Sequence, residues 1–181
     1  MAIPTQQNVR VRPSVARMTV ADNYIRDIAT NGVYFKGGAT DAVVQRNVIE
    51  RVGEGGILVG FDISPEFFDL TENPGYFEAI RGIVRNNLIR DSGRAGISLY
   101  ASRDAIIANN TLLRTANIGQ AAIYIGVTLQ DFDPIPGRPG SVNPRIVNNL
   151  VKTTAAADIG IRWANELGGL SGLSGSPGTN F

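Results

Sequence analysis

The sequence contains no cysteine, no histidine, only two lysines (Lys36 and Lys152) and no apolar run approaching the length of a membrane span. Without cysteine there is no disulfide framework, thiol nucleophile or iron–sulfur ligation. Without histidine the usual neutral-pH acid/base group, the Ser–His triad and most zinc sites are gone. Charge is nearly balanced, 17 basic against 16 acidic residues, which leaves no electrostatic footprint for nucleic acid or a membrane surface. Residues 1–17 are polar and lack the apolar core of a signal peptide. What remains is 43% hydrophobic over 181 residues, enough for an ordered domain with a core. Any chemistry falls to carboxylates, Arg, Lys, Tyr, Ser or Asn.

An internal repeat organises the chain. Five segments share an apolar residue, two spacers, Asn, one spacer and a second apolar residue: Val20–Asn23–Ile25, Val44–Asn47–Ile49, Val84–Asn87–Ile89, Ile107–Asn110–Leu112 and Ile146–Asn149–Val151. A second alternating unit follows each: Val33-x-Phe35, Ile57-x-Val59, Ile97-x-Leu99, Ile123-x-Ile125 and Ile161-x-Trp163. A partial copy, Val9-x-Val11, stands at the front. The asparagines are 24, 40, 23 and 39 residues apart, a unit of 24 that is twice enlarged by some 16. Period-2 alternation broken at Gly, Asn, Asp and Ser predicts two or three short strands per unit. One such coil cannot bury its own apolar face. Coils stacked about 4.8 Å apart pair every strand in parallel with its neighbours and join the inward residues into one column. The crossover rule makes the winding right-handed. The expectation is an all-β, right-handed parallel β-helix (a single-stranded solenoid) of about five coils, stacking to about 25 Å, with two long loops on one side.

The Asn column predicts a buried amide ladder rather than a ligand site, since buried polar groups need partners. Each Asn also tolerates the left-handed conformation that such a turn needs. Gly32, Gly56, Gly96 and Gly160 read as turn residues, and Trp163 as core or end-cap packing. The β-helix is expected over 1–163, with 164–181 a Gly/Ser-rich tail. An uncapped stack exposes parallel edges, so either a fragment of a longer protein or end-to-end self-association is expected.

Arg85-Asn86-Asn87-x-Ile89 followed by Gly96-Ile97 resembles the repeats of the pectin-lyase-like β-helix superfamily, over residues 9–163. The resemblance implies the fold. Its members include polysaccharide lyases, glycoside hydrolases, uronan epimerases, phage tailspikes and adhesins. It also implies a polysaccharide partner and a secreted bacterial setting, extracellular or periplasmic, with Ca²⁺ a common companion of the lyases.

The two enlargements, 61–80 and 128–143, leave from the same corner, one coil apart on either side of coil three. Their roots are about 10 Å apart by the stacking geometry, so they are expected to wall a groove floored by Tyr100, Arg103 and Asp104. The first loop carries Phe61, Phe67, Phe68, Tyr76 and Phe77 with Asp62, Glu66, Asp69, Glu72 and Glu78; the second carries Asp131, Phe132 and Asp133. Aromatic faces beside carboxylates suit sugar rings, while the same aromatics also make a satellite core that anchors the loop. Asp104, Arg103, Asp62 and Asp131 are the catalytic candidates. Tyr100, Glu66, Asp69, Phe132 and Asp133 are the binding candidates. Asp41 repeats the position of Asp104, so a turn role for both stands beside the catalytic one. Hydrolysis needs a general acid and a second carboxylate, which these loops offer. In the resembling lyases the base is often Arg or Lys, which implies that role for Arg103. Acidic walls favour a neutral glycan unless Ca²⁺ bridges them, and no ligand spacing singles out a Ca²⁺ site. The alternative is a non-catalytic β-helix serving glycan binding, adhesion or a stalk.

Overall fold

The computed structural model describes residues 16–62, 67–126, 139–152 and 157–161. They form eighteen short strands, numbered in chain order. The first sheet holds β1 (Thr19–Ala21), β5 (Val43–Gln45), β9 (Ile83–Arg85), β13 (Ile106–Ala108) and β16 (Arg145–Val147). The second holds β2 (Tyr24–Ile28), β6 (Val48–Val52), β10 (Leu88–Ser92), β14 (Thr111–Leu113) and β17 (Leu150–Lys152). The third holds β3 (Val33–Phe35), β7 (Ile57–Val59), β11 (Ile97–Tyr100), β15 (Ala121–Gly126) and β18 (Ala157–Ile161). A short fourth sheet, β4 (Ala39–Thr40), β8 (Ala79–Ile80) and β12 (Ser102–Arg103), bridges the corner where the loops leave. Every pairing is parallel and joins one coil to the next, so five coils make a solenoid.

The repeat positions fall into register. Val20, Val44, Val84, Ile107 and Ile146 pair in sequence, as do Ile25, Ile49, Ile89, Leu112 and Val151. These side chains point inward, and those of the middle coils are fully buried, each contributing about 2 kcal/mol through apolar burial. One unit differs from expectation. β18 pairs Ile159 with Ile123 and Ile161 with Ile125, so the fifth unit is Ile159-x-Ile161, not Ile161-x-Trp163. The alternation runs unbroken from Ile159 to Trp163, and a two-residue slip keeps every residue on its face. Trp163, the partial copy at Val9 and the tail 164–181 lie outside the described residues.

The asparagine column is a continuous amide ladder. Asn23, Asn47, Asn87 and Asn110 each donate both the backbone N–H and Nδ2 to Oδ1 of the asparagine on the following coil, at 2.9–3.0 Å. Nδ2 spends its second hydrogen on a backbone carbonyl, as in Asn87 to Val44 at 3.0 Å. The left-handed residues are not the ladder asparagines. They are their predecessors: Asp22, Arg46, Asn86, Asn109 and Asn148, with φ between 53° and 61°. Gly32, Gly56 and Gly96 are selected by crowding. A Cβ on Gly56 would stand 2.5 Å from the Gly96 carbonyl oxygen and 2.6 Å from Ile89 Cγ2.

The left-handed column beside the ladder and two further ones pair opposite charges on the surface. Arg46 grips Asp22, Arg81 grips Asp41 and Arg114 grips Asp91 through paired guanidinium–carboxylate bonds of 2.6–2.9 Å. Arg51 does the same to Asp27. On the outer face of the second sheet, Glu50 is 1% exposed yet charged. It accepts from the Tyr24 hydroxyl and from Arg51 and Arg90. The Tyr24 bond, supported by the two guanidinium groups against the opposing pull of burial, holds its pKa at about 2.

Asn87→Ala leaves the buried N–H and Nδ2 of Asn47 without their acceptor and should cost about 2–4 kcal/mol, read as a lowered urea midpoint. Thr115→Val should be neutral or stabilising by the same assay, because the buried Thr115 hydroxyl has no hydrogen-bond partner among the described residues. Glu50 has a folded pKa below its ordinary 4.5, so its stabilisation is complete above that value and is lost as pH falls toward 2. The urea midpoint of the unaltered chain should therefore drop more steeply across this window than that of Glu50→Gln.

Candidate functional site

The outward positions of the third sheet stack Tyr34, Leu58, Ser98 and Tyr124, one per coil. Leu58 and Ser98 are buried between the two tyrosines. Along one edge, where the strands run out toward the loops, stand Phe61, Asp62 and Tyr100. Along the other, at the turns entering the sheet, stand Asn31, Glu54, Arg94 and Gln120. Together with Leu58, Ser98 and Tyr124 these two edges line a cleft of about 290 Å³, and Tyr34 stands outside it beside Phe61.

Its aromatic side is a contiguous row. Tyr34 and Phe61 have ring centroids 6.3 Å apart, Phe61 and Tyr100 6.0 Å, and Tyr100 and Tyr124 6.0 Å, all tilted or edge-on. Lys36 places Nζ over Tyr34 and Phe61 and donates to the Asp62 carbonyl at 2.9 Å. Its polar side is held by the turns. Gln120 accepts the Ala95 N–H at 3.1 Å and donates to the Tyr100 hydroxyl at 2.9 Å, tying the two edges together. Asn31 accepts the Gly55 N–H at 2.9 Å. Burial pushes the Tyr100 pKa up, and nearby Tyr124 and Asp62 push the same way against the Gln120 bond. Its hydroxyl therefore stays protonated at neutral pH.

A family model described as a right-handed beta helix region matches residues 9–167. The chain belongs to the right-handed β-helix family. Among solved structures this β-helix is similar to the A-module of a mannuronan C-5 epimerase from Azotobacter vinelandii, with 11% identity and a TM-score of 0.38. The match covers 89% of the present chain and 58% of that module, so the β-helix spans less than two thirds of it. No curated protein matches the sequence.

The β-helix brings two of the expected site residues, Asp62 and Tyr100, into the cleft. It does not bring Arg103 and Asp104 there. Arg103 lies on β12 with its guanidinium 4.9 Å from the Phe77 ring centroid and 3.7 Å from Asp104. Asp104 is a left-handed turn residue like Asp41, with φ of 57° and 55°, and accepts from Asn143 at 3.3 Å. The cation of the cleft is Arg94, from the opposite corner. Asp69 closes a turn within its own loop, accepting the Thr71 N–H at 2.9 Å. Glu66, Asp131, Phe132 and Asp133 lie outside the described residues. The loop aromatics divide: Phe68 is buried against Tyr76 and Phe77 sits under Arg103, whereas Phe61 faces the cleft.

Glu54, Arg94, Gln120, Asn31 and Tyr124 were not anticipated. A signal existed: Tyr34 and Tyr124 are the spacer residues of the repeating strand unit, and Glu54 and Arg94 occupy one turn position, the Arg94 N–H donating to the Glu54 carbonyl. Calcium takes six to eight oxygens with several carboxylates among them. Among the described residues no three acidic side chains cluster closely enough to hold a cation, while Asp131 and Asp133 lie outside them. Among the described residues no helix is long and apolar enough to cross a membrane.

Proposed function

We propose that this β-helix is a polysaccharide-processing domain that holds a neutral sugar unit in the cleft on the outer face of its third sheet. One observation carries the reading. The rings of Phe61, Tyr100 and Tyr124 line one cavity of about 290 Å³ together with carboxylate, amide and guanidinium groups. Sugar rings offer C–H faces to the first and hydroxyls to the second. The charges at the cleft, Glu54 and Asp62 against Arg94 with Lys36 at its Phe61 edge, nearly cancel, which supports a neutral glycan over a polyuronate.

Glu54 and Asp62 are the two lining carboxylates, the minimum that glycoside hydrolysis requires. One protonates the departing glycosidic oxygen while the other accepts the proton of the water that attacks the anomeric carbon. The paired carboxylates make hydrolysis a better match than elimination. Arg94 and Gln120 orient hydroxyls. Leu58 and the tyrosine rings exclude water from one face of the ring.

A panel of soluble glycans, assayed for binding, for new reducing ends and for the ultraviolet absorbance of unsaturated products, tests this. Tyr124→Ala should weaken binding about fivefold to tenfold through the lost ring contact. Glu54→Gln should retain binding and lose turnover by a hundredfold or more. Glycan retention without turnover in the unaltered chain would leave a binding module, and no retention of any glycan would end the proposal.

A further inference from the structure

We propose that the two ends of the coil stack are complementary docking surfaces through which copies of this chain associate head to tail, whatever the cleft binds. Among the described residues the apolar column is sealed in the middle and only partly covered on its first and last coils. Ile49, Ile89, Ile97 and Ile107 are fully buried, whereas Met18, Val20, Ile25 and Val33 on the first coil and Val151 and Ile159 on the last are only partly so. β1 and β2 are edge strands at one end and β16 and β17 at the other. Their outer backbone groups have no ladder partner among the described residues, and such edges are templates for another chain.

The amide ladder selects the partner. Because each asparagine donates toward the following coil and accepts from the preceding one, the ladder has a direction. At the head, Asn23 Oδ1 accepts no bond among the described residues. At the tail, the Asn149 N–H meets no further Oδ1. An unmatched acceptor at one end and an unmatched donor at the other satisfy each other, while two heads or two tails do not.

The outer columns agree. Tyr24, 57% exposed, and Leu150, 63% exposed, are the first and last members of one outward column, so tail on head sets Leu150 against the Tyr24 ring. Asn143 and Asn148 end the left-handed columns that begin with Arg17 and Asp22. A neutral amide accepts from the first and donates to the second, as Asn143 already does to Asp104. A second copy of this chain offers all of these features in the right order. A head-to-tail contact does not close on itself, so the product is an open series rather than a dimer.

Light scattering on the full chain, from micromolar to millimolar concentration, should show mass rising through dimer and trimer. Val147→Lys with Leu150→Lys charges the tail. Thr19→Pro blocks the head, because Val20 faces the second coil and its neighbour's N–H therefore points away from the stack. If that variant does not fold, Ile28→Lys, at an exposed head position, replaces it. Each variant alone should be monomeric where the unaltered chain associates, and their equimolar mixture should give a dimer and nothing larger. A strict monomer at every concentration, with the ends covered by the chain's own residues, would overturn the proposal. So would a dimer that either variant still forms alone.

Discussion

A carboxamide carries a donor and an acceptor on one plane, and a stack of them a coil apart bonds itself into a line. The rest of this β-helix depends on that line. The backbone N–H and Nδ2 of one asparagine converge on a single oxygen of the next, so a coil displaced by one residue would lose both bonds and bury the groups unpaired. With the corner fixed, the flanking strands enter parallel pairing with their inward residues already in register. Interruptions of very different length can then be tolerated elsewhere. Successive ladder asparagines are 24, 40, 23 and 39 residues apart, yet every rung closes at the same distance, because loop-closure entropy grows only slowly with length.

The cleft is a product of this stacking. No two of its principal residues need be neighbours in sequence: Asn31, Glu54, Arg94 and Gln120 come from four successive turns, and Phe61 and Tyr100 from the opposite strand ends. Asn31 and Gln120 are each fixed to backbone, and the Gln120 bridge from the Ala95 N–H to the Tyr100 hydroxyl joins the two edges. The cleft lies on the outward face of a sheet whose inward face is the core. Its lining side chains are therefore free to differ from coil to coil, while those beneath them repeat.

That division explains what was legible in the sequence. Inward residues and ladder asparagines repeat, and periodicity recovers them, coil count and parallel pairing included. Outward residues do not repeat from one coil to the next: a leucine and a serine, Leu58 and Ser98, separate Tyr34 from Tyr124 at the shared position, so likeness between successive coils did not reveal the cleft. The loops drew attention because they break the pattern, and they supplied Asp62 and Phe61. The pair Arg103 and Asp104 followed from the same corner, but Asp104 belongs to a left-handed column and Arg103 packs on Phe77. The slip between Ile159 and Ile161 has a simpler cause: alternation fixes which face a residue occupies, and only a pairing partner fixes where along the strand it sits.

The surface columns impose a parity on the solenoid. Arg17, Asp41, Arg81 and Asp104 alternate in sign from coil to coil, as do Asp27, Arg51, Asp91 and Arg114. Excising one coil would leave the core and the amide ladder continuous, yet would set arginine on arginine in one column and aspartate on aspartate in the other. Excising two restores every attraction. A protein of this design lengthens or shortens most readily by coils in pairs, with charge doing the counting that the hydrophobic repeat cannot.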